Sequence, residues 1–269
     1  ALSRIGTQRT LADALGEPSR GYPIEAFSFP SEGLAGLLSR RSARFSVEAD
    51  LSREKEAYRY RVEVEVTPGS GALAVSDEYL TALGKDGQPK GVAAIEEADG
   101  KLRVRRKGKA ARPQNEPLGQ NYAILSDPRR GAPLYGAIER TRAELSGWRT
   151  YYLDPRMAMR AAQPPSDVKD IGVLGGEIAP FLYRLRADRG KHFEAVKRTL
   201  RSIVPSVEEL TVDLDRKRGT LDILIRQDGV DYSSRIVSEG TLRVLALCAI
   251  AVNPSGGSLL AFEEPENGV

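Results

Sequence analysis

The stretch from Ser238 to Val269 constrains the fold more than any other. Ser238-Glu239-Gly240-Thr241-Leu242-Arg243 leads into an apolar run from Val244 to Val252, which Asn253-Pro254-Ser255-Gly256-Gly257 breaks. Ser258-Leu259-Leu260-Ala261-Phe262 follows and ends on Glu263-Glu264-Pro265-Glu266-Asn267-Gly268. The run from Leu242 to Val252 is too long for an ordinary strand and lacks its alternation, so it reads as a core helix. Ser238 is its natural N-cap, and Gly240 lets another backbone approach closely. Leu259 to Phe262 has no polar residue on either face, as expected of a central parallel strand covered on both sides. Open α/β sheets place ligands at the carboxyl ends of such strands. Two acids there are costly unless a cation or a reaction uses them.

These residues resemble the second half of an ABC-type ATPase. More closely, they resemble the bacterial AAA-domain predicted ATPases related to the RecF, SMC and OLD proteins. The resemblance makes Ser-x-Gly-Thr the ABC signature and the acid-tipped strand the Walker B motif of a P-loop NTPase. It implies that Glu263 holds Mg²⁺ and that Glu264 is the base that orients the attacking water. Glu266 and Asn267 then open the D-loop at a dimer interface. Ser238, Gly240 and Thr241, with Arg243 one turn on, would contact ATP bound to the other subunit, as a serine hydroxyl and helix N-terminal amides suit phosphate. Glu239 stands where glycine is usual in ABC proteins, and an acid near phosphate is unfavourable unless it points away. A surface salt bridge is an equally good reading of Arg243. Taken alone, the terminal acids also fit a solvated turn.

A P-loop would read G-x-x-x-x-G-K-[ST]. The Gly-rich candidates, Gly69-Ser70-Gly71, Gly84-Lys85-Asp86-Gly87 and Gly175-Gly176, lack that ending. In the family the P-loop precedes the region that begins here. The expectation is therefore a fragment without its Walker A motif, inactive as an ATPase by itself. The chain has 40 basic and 37 acidic residues, so its net charge of +3 does not itself point to nucleic acid. A single cysteine, Cys248, excludes an intramolecular disulfide and a cysteine-based zinc site, and its place in the apolar run marks it as a small buried hydrophobe. His192, the only histidine, reads as a surface residue. No apolar stretch is long enough to span a bilayer and no signal peptide is visible, so a cytoplasmic location is expected.

Residues 1–43 read as an irregular lead-in with short helices over Thr10–Leu15 and Ser31–Ser39. Residues 44–126 read as an antiparallel β-subdomain, which the resemblance also implies. Tyr58, Tyr60, Val62, Val64 and Val66 alternate with Arg59, Arg61, Glu63 and Glu65, the clearest strand in the chain. Val92–Ile95 and Leu102–Val104 are expected to pair across Ala98-Asp99-Gly100. The basic run Lys101–Arg112 has no interleaved aromatic, which favours a solvated hairpin tip over a phosphate-contacting patch. Residues 127–269 read as a helical lobe followed by the signature helix and the Walker B strand. Leu134, Ile138, Thr141 and Leu145 recur at helical spacing, Trp148–Leu153 is a short strand, and Asp154 caps a turn. Helices are expected over Glu177–Arg186 and Phe193–Ile203, then a hairpin of Val207–Leu214 with Thr220–Arg226.

The expected fold is thus α/β: an ABC-type head with a central parallel sheet, an antiparallel β-subdomain and a helical lobe, incomplete at both ends. The expected function is ATP binding and hydrolysis coupled to homodimerisation of heads, serving DNA repair, phage defence or a toxin–antitoxin system. DNA and an effector protein are further partners that the resemblance leaves open. Two alternatives stand beside it: a non-hydrolysing regulatory or DNA-binding module of the same fold, and a metal-dependent nuclease drawing Asp154, Asp167, Asp170 and Glu263 together.

Overall fold

A computed structural model describes residues 1–16, 33–53, 56–108 and 112–263. The chain divides into two compact units, Ala1–Gly147 and Trp148–Val269.

In the first unit, six strands form one antiparallel sheet in chain order: β1 (Ala43–Arg53), β2 (Glu56–Thr67), β3 (Ala72–Ala82), β4 (Ile95–Ala98), β5 (Lys101–Val104) and β6 (Gln114–Pro117). The alternation read from the sequence sets the faces. Tyr60, Val62, Val64 and Val66 are buried, whereas Arg59 pairs with Asp50 at 2.7 Å and Arg61 with Asp77 at 2.6 Å on the outer face. A register shift between Glu63 and Val64 marks a bulge in the β2–β3 pairing. Asp99-Gly100 closes the β4–β5 hairpin with φ of 54° and 72°, the positive pair that a two-residue turn of the right twist demands. The fourth strand begins at Ile95 rather than at Val92, and Val92 is 60% exposed.

Helices α1 (Leu2–Thr7), α2 (Leu11–Leu15), α3 (Gly33–Leu38) and α4 (Gly136–Ser146), with a 3₁₀ turn at Ile124–Ser126, complete this unit. Ser31 and Glu32, at the start of the helix expected over Ser31–Ser39, lie outside the described residues. Helix α1 reaches α4 and the 3₁₀ turn through Gly6. A Cβ there would stand 2.8 Å from Leu125 Cδ2 and 2.9 Å from Leu145 Cδ1. Gly6→Val is therefore expected to cost about 1–3 kcal/mol through overpacking, read as a lower urea midpoint at unchanged m-value.

One buried acid fastens the 3₁₀ turn to the sheet. Glu78 on β3 is 0% exposed. Its Oε2 accepts from the Ile124 amide at 2.6 Å, and its Oε1 accepts from the Leu125 amide at 2.8 Å and from the Tyr60 hydroxyl at 3.1 Å. Burial outweighs these bonds and pushes the Glu78 carboxyl up to about 7.

The second unit contains β7 (Trp148–Tyr151), α5 (Ile178–Asp188), α6 (Gly190–Ile203), β8 (Glu209–Asp215), β9 (Thr220–Gln227), β10 (Val230–Ser233), α7 (Glu239–Ala251) and β11 (Leu259–Phe262). Strands β8, β9 and β10 make an antiparallel meander whose second turn, Asp228-Gly229, repeats the positive-φ pair of the first unit. Helix α5 packs on β8 and β9, and α6 lies between β8 and α7. Leu182, Val196, Leu200, Val212, Ile225, Leu242 and Leu245 fill the shared core, and Cys248 is buried as expected.

The parallel sheet is smaller than expected. Among the described residues it consists of β7 and β11, paired from Leu259↔Trp148 to Phe262↔Tyr151. The expectation that Leu259–Phe262 is covered on both faces is not met. Leu259, Leu260 and Phe262 are 44%, 41% and 37% exposed. An apolar strand is buried only when layers cover both its faces, and here Tyr151 stacks on Phe262 with ring centroids 5.4 Å apart.

Candidate functional site

Helix α7 forms for the reasons its sequence displays. It is apolar over most of its circumference, so it enters the core. Leu242, Leu245, Ala246, Ala249 and Ile250 are buried. Its first turn is capped by Ser238, whose Oγ accepts from the Thr241 amide at 3.1 Å and lies 2.8 Å from Thr241 Oγ1. Ser238 is exposed and Gly240 half-buried, so the start of the helix has an open polar face. Thr241 is 7% exposed, behind Ser238 rather than beside it. Arg243 is half-buried, and its Nε is buried with no hydrogen-bond partner among the described residues.

Two arginines absent from the sequence-level site shape this loop. Arg160 belongs to a 3₁₀ turn, Ala158–Arg160, that Asp154 starts by accepting from the amides of Arg156 at 3.1 Å and Met157 at 3.0 Å. The Arg160 guanidinium donates to three carbonyls: Pro155 at 2.7 Å, Val237 at 2.7 Å, and Arg235. It thereby fixes the backbone on the N-terminal side of Ser238. Arg156 donates through Nε to Glu239 Oε1 at 2.9 Å. Glu239 is thus engaged by a cation. Neither arginine follows a recognisable motif; the only local signal is the Asp154-Pro155 turn start.

The stretch 148–160 links the two parts of the site. Its beginning is β7, which pairs with β11; its end holds the loop before α7. Beyond β11 the pairing continues for one residue, with the Glu263 amide donating to the Tyr151 carbonyl at 2.9 Å. Glu263, half-buried, therefore stands at the carboxyl end of the parallel pair. Next to it, the Tyr151 hydroxyl donates to Asp170 at 2.8 Å, and burial, with that carboxylate alongside, pushes the hydroxyl well above the usual tyrosine range. Glu264, Glu266 and Asn267 lie outside the described residues.

The structure therefore gathers Ser238, Gly240, Thr241 and Arg243 on the first turns of α7 and places Glu263 at the tip of β11. The acids weighed for a nuclease are otherwise engaged. Asp154 accepts from amides, Asp167 pairs with Arg184 at 2.8 Å, and Asp170 accepts from Tyr151. No three acids, histidines or cysteines converge on a common point among the described residues. No helix there is long and apolar enough to cross a membrane.

A helix start with an exposed serine at its N-cap is suited to oxyanions, and a carboxylate at a parallel strand end is suited to a divalent cation. Compared with known families, residues 1–269 match the model described as "AAA domain, putative AbiEii toxin, Type IV TA system". No curated protein matches the chain.

Proposed function

The chain belongs to this AAA-domain family, and from that premise we propose that it supplies the signature and Walker B elements of an ATP-hydrolysing head that dimerises around nucleotide. ATP and Mg²⁺ are the cofactors of this reading, and a second copy of the protein is its partner. Ser238 and the α7 amides receive the terminal phosphate held by the other subunit. Thr241 orients the Ser238 hydroxyl from behind. Arg243, whose buried Nε has no hydrogen-bond partner among the described residues, stands on the second turn of the same helix. Glu263 holds the cation, Glu264 accepts the proton of the attacking water, and Glu266 and Asn267 face the partner subunit. Of the settings that fit such a head, a toxin–antitoxin system is the one that the wording of the family description supports.

The observation that carries the reading is the exposed, serine-capped start of α7, braced by Arg160 through three carbonyls. The lateral pairing of Glu239 with Arg156 supports it further, because it lessens the repulsion that an acid would otherwise exert on phosphate.

Two substitutions at Ser238, in the full-length protein, test this reading. Ser238→Ala removes both the cap and the phosphate donor. Ser238→Asp keeps the cap while placing negative charge where phosphate would dock. Both are expected to reduce ATP-dependent dimers, measured by light scattering, and to lower turnover about tenfold or more, the worth of one hydrogen bond to a charged group. Nucleotide binding by the monomer should be unchanged. Wild-type dimerisation in Ser238→Asp would refute the assignment.

A further inference from the structure

The basic run that follows β5 has a place in the first unit that the proposed ATPase reading does not use. Between this run and the start of α4 lies a cavity of about 590 Å³, within the size range of small-molecule sites. Part of its lining is apolar, from Val92, Pro133 and Ala137. Its cations differ in how they are compensated. Arg105 bonds to Glu96 and to the Ala93 carbonyl, and Arg140 pairs with Glu56 beside the Tyr58 hydroxyl.

Arg106 and Lys107 have no acidic partner among the described residues. Arg106 is held instead by a neutral group: its Nε donates to the Tyr135 hydroxyl at 3.1 Å, and its guanidinium carbon lies 5.8 Å from the centre of that ring. Tyr135 is itself fixed, because its hydroxyl accepts from Arg130 at 2.8 Å and donates to Gln114 at 2.6 Å. The guanidinium is therefore positioned without being neutralised. Lys107 is exposed, and its backbone amide donates to the Leu134 carbonyl at 2.8 Å, which ties the basic run to the loop before α4. Gly136 and Ala137, in the first turn of α4, also line the cavity, and no side chain caps that helix.

We propose that this cavity binds a phosphate monoester carried on a compact apolar or aromatic body. Such a group brings a charge near −2 and three acceptor oxygens, which two uncompensated cations match. The apolar lining would take the body. A nucleic-acid strand fits less well. It needs a continuous cationic track, and here Glu56 and Glu96 against the neighbouring arginines interrupt one, whereas the Glu139 carboxylate on the lining is paired with Arg142 at 3.0 Å.

Calorimetric titration at low ionic strength tests the proposal with three probes: phenyl phosphate, inorganic phosphate and a single-stranded oligonucleotide. Phenyl phosphate should saturate the protein and bind about tenfold or more tightly than inorganic phosphate, as burial of an aromatic ring requires. Lys107→Gln changes an exposed side chain and should leave the unfolding midpoint as in wild type, while weakening phenyl phosphate about threefold or more. Arg106→Gln combined with Lys107→Gln should weaken it about tenfold or more. Ser238→Ala should leave it unchanged, which separates this site from the proposed ATPase site. The proposal is overturned if neither phosphate compound saturates at millimolar concentration. It is equally overturned if Lys107→Gln and the double variant bind as wild type, if the two phosphates bind equally, or if the oligonucleotide binds more tightly than phenyl phosphate.

Discussion

Replacing Glu264 by glutamine in the full-length protein is expected to lower ATP turnover about a hundredfold or more while ATP-bound dimers accumulate. The size follows from removing a general base, whose contribution is typically 10²–10⁴-fold. The direction of the second effect follows from the proposed cycle. If hydrolysis is what releases the two heads, a head that binds but does not hydrolyse remains paired. Glutamine keeps the size and hydrogen-bonding capacity of the side chain and loses only the ability to take a proton. Single-turnover kinetics with size-exclusion chromatography in the presence of ATP would measure both effects. The assignment rests on order in the chain: Glu264 directly follows Glu263, which the structure places at the carboxyl end of the parallel pair. Turnover within threefold of wild type would remove Glu264 from the chemistry.

The second large effect concerns stability. Glu78→Ala is expected to destabilise the protein by roughly 3–5 kcal/mol, because it leaves three donors in the core without an acceptor. These are the amides of Ile124 and Leu125 and the hydroxyl of Tyr60. Urea unfolding should show it, and a loss below about 1 kcal/mol would mean that the turn holds itself against the sheet without the acid. The same residue sets a pH dependence. Folded Glu78 keeps its proton up to about pH 7, whereas the ordinary value of its carboxyl is 4.5. Between these values the folded state binds the extra proton, so its contribution is fully present below about pH 4.5. It declines as pH rises through the window and is gone above about 7, a change of roughly 3 kcal/mol. Glu78→Gln cannot titrate, and its unfolding midpoint should lose this component of the pH profile.

Much of the fold was legible in local patterns. Alternation from Tyr58 to Val66 located β2 and its buried face, because side chains on a strand repeat every two residues whatever surrounds them. The apolar run after Ser238 gave α7 and its cap for an equally local reason, since capping involves atoms only three residues apart. The candidate site was legible to the extent that its parts are contiguous: Ser238 to Arg243 on one helix, and Glu263 at one strand end. Strand edges read less well. Val92 is apolar and reads as a strand residue, yet it lines a cavity, since apolarity records a preference for burial and not a hydrogen-bonding partner.

The sequence by itself determined the faces of β2, the β8–β9 hairpin, the helix α7 with its cap and the acids that follow β11; α1, β6 and β10 carried no such signal. Each feature so determined depends on residues within one turn, one strand or one hairpin of each other. The tertiary structure alone decided that Arg160 braces carbonyls 75 and 77 positions away. It alone decided that Glu78 receives amides 46 and 47 positions away, and that Arg106 meets a tyrosine 29 positions away instead of a carboxylate. Polar side chains carry no periodic signature of their partners. Which donor meets which acceptor is fixed by where loops return the chain, and that is set by the packing of the whole unit.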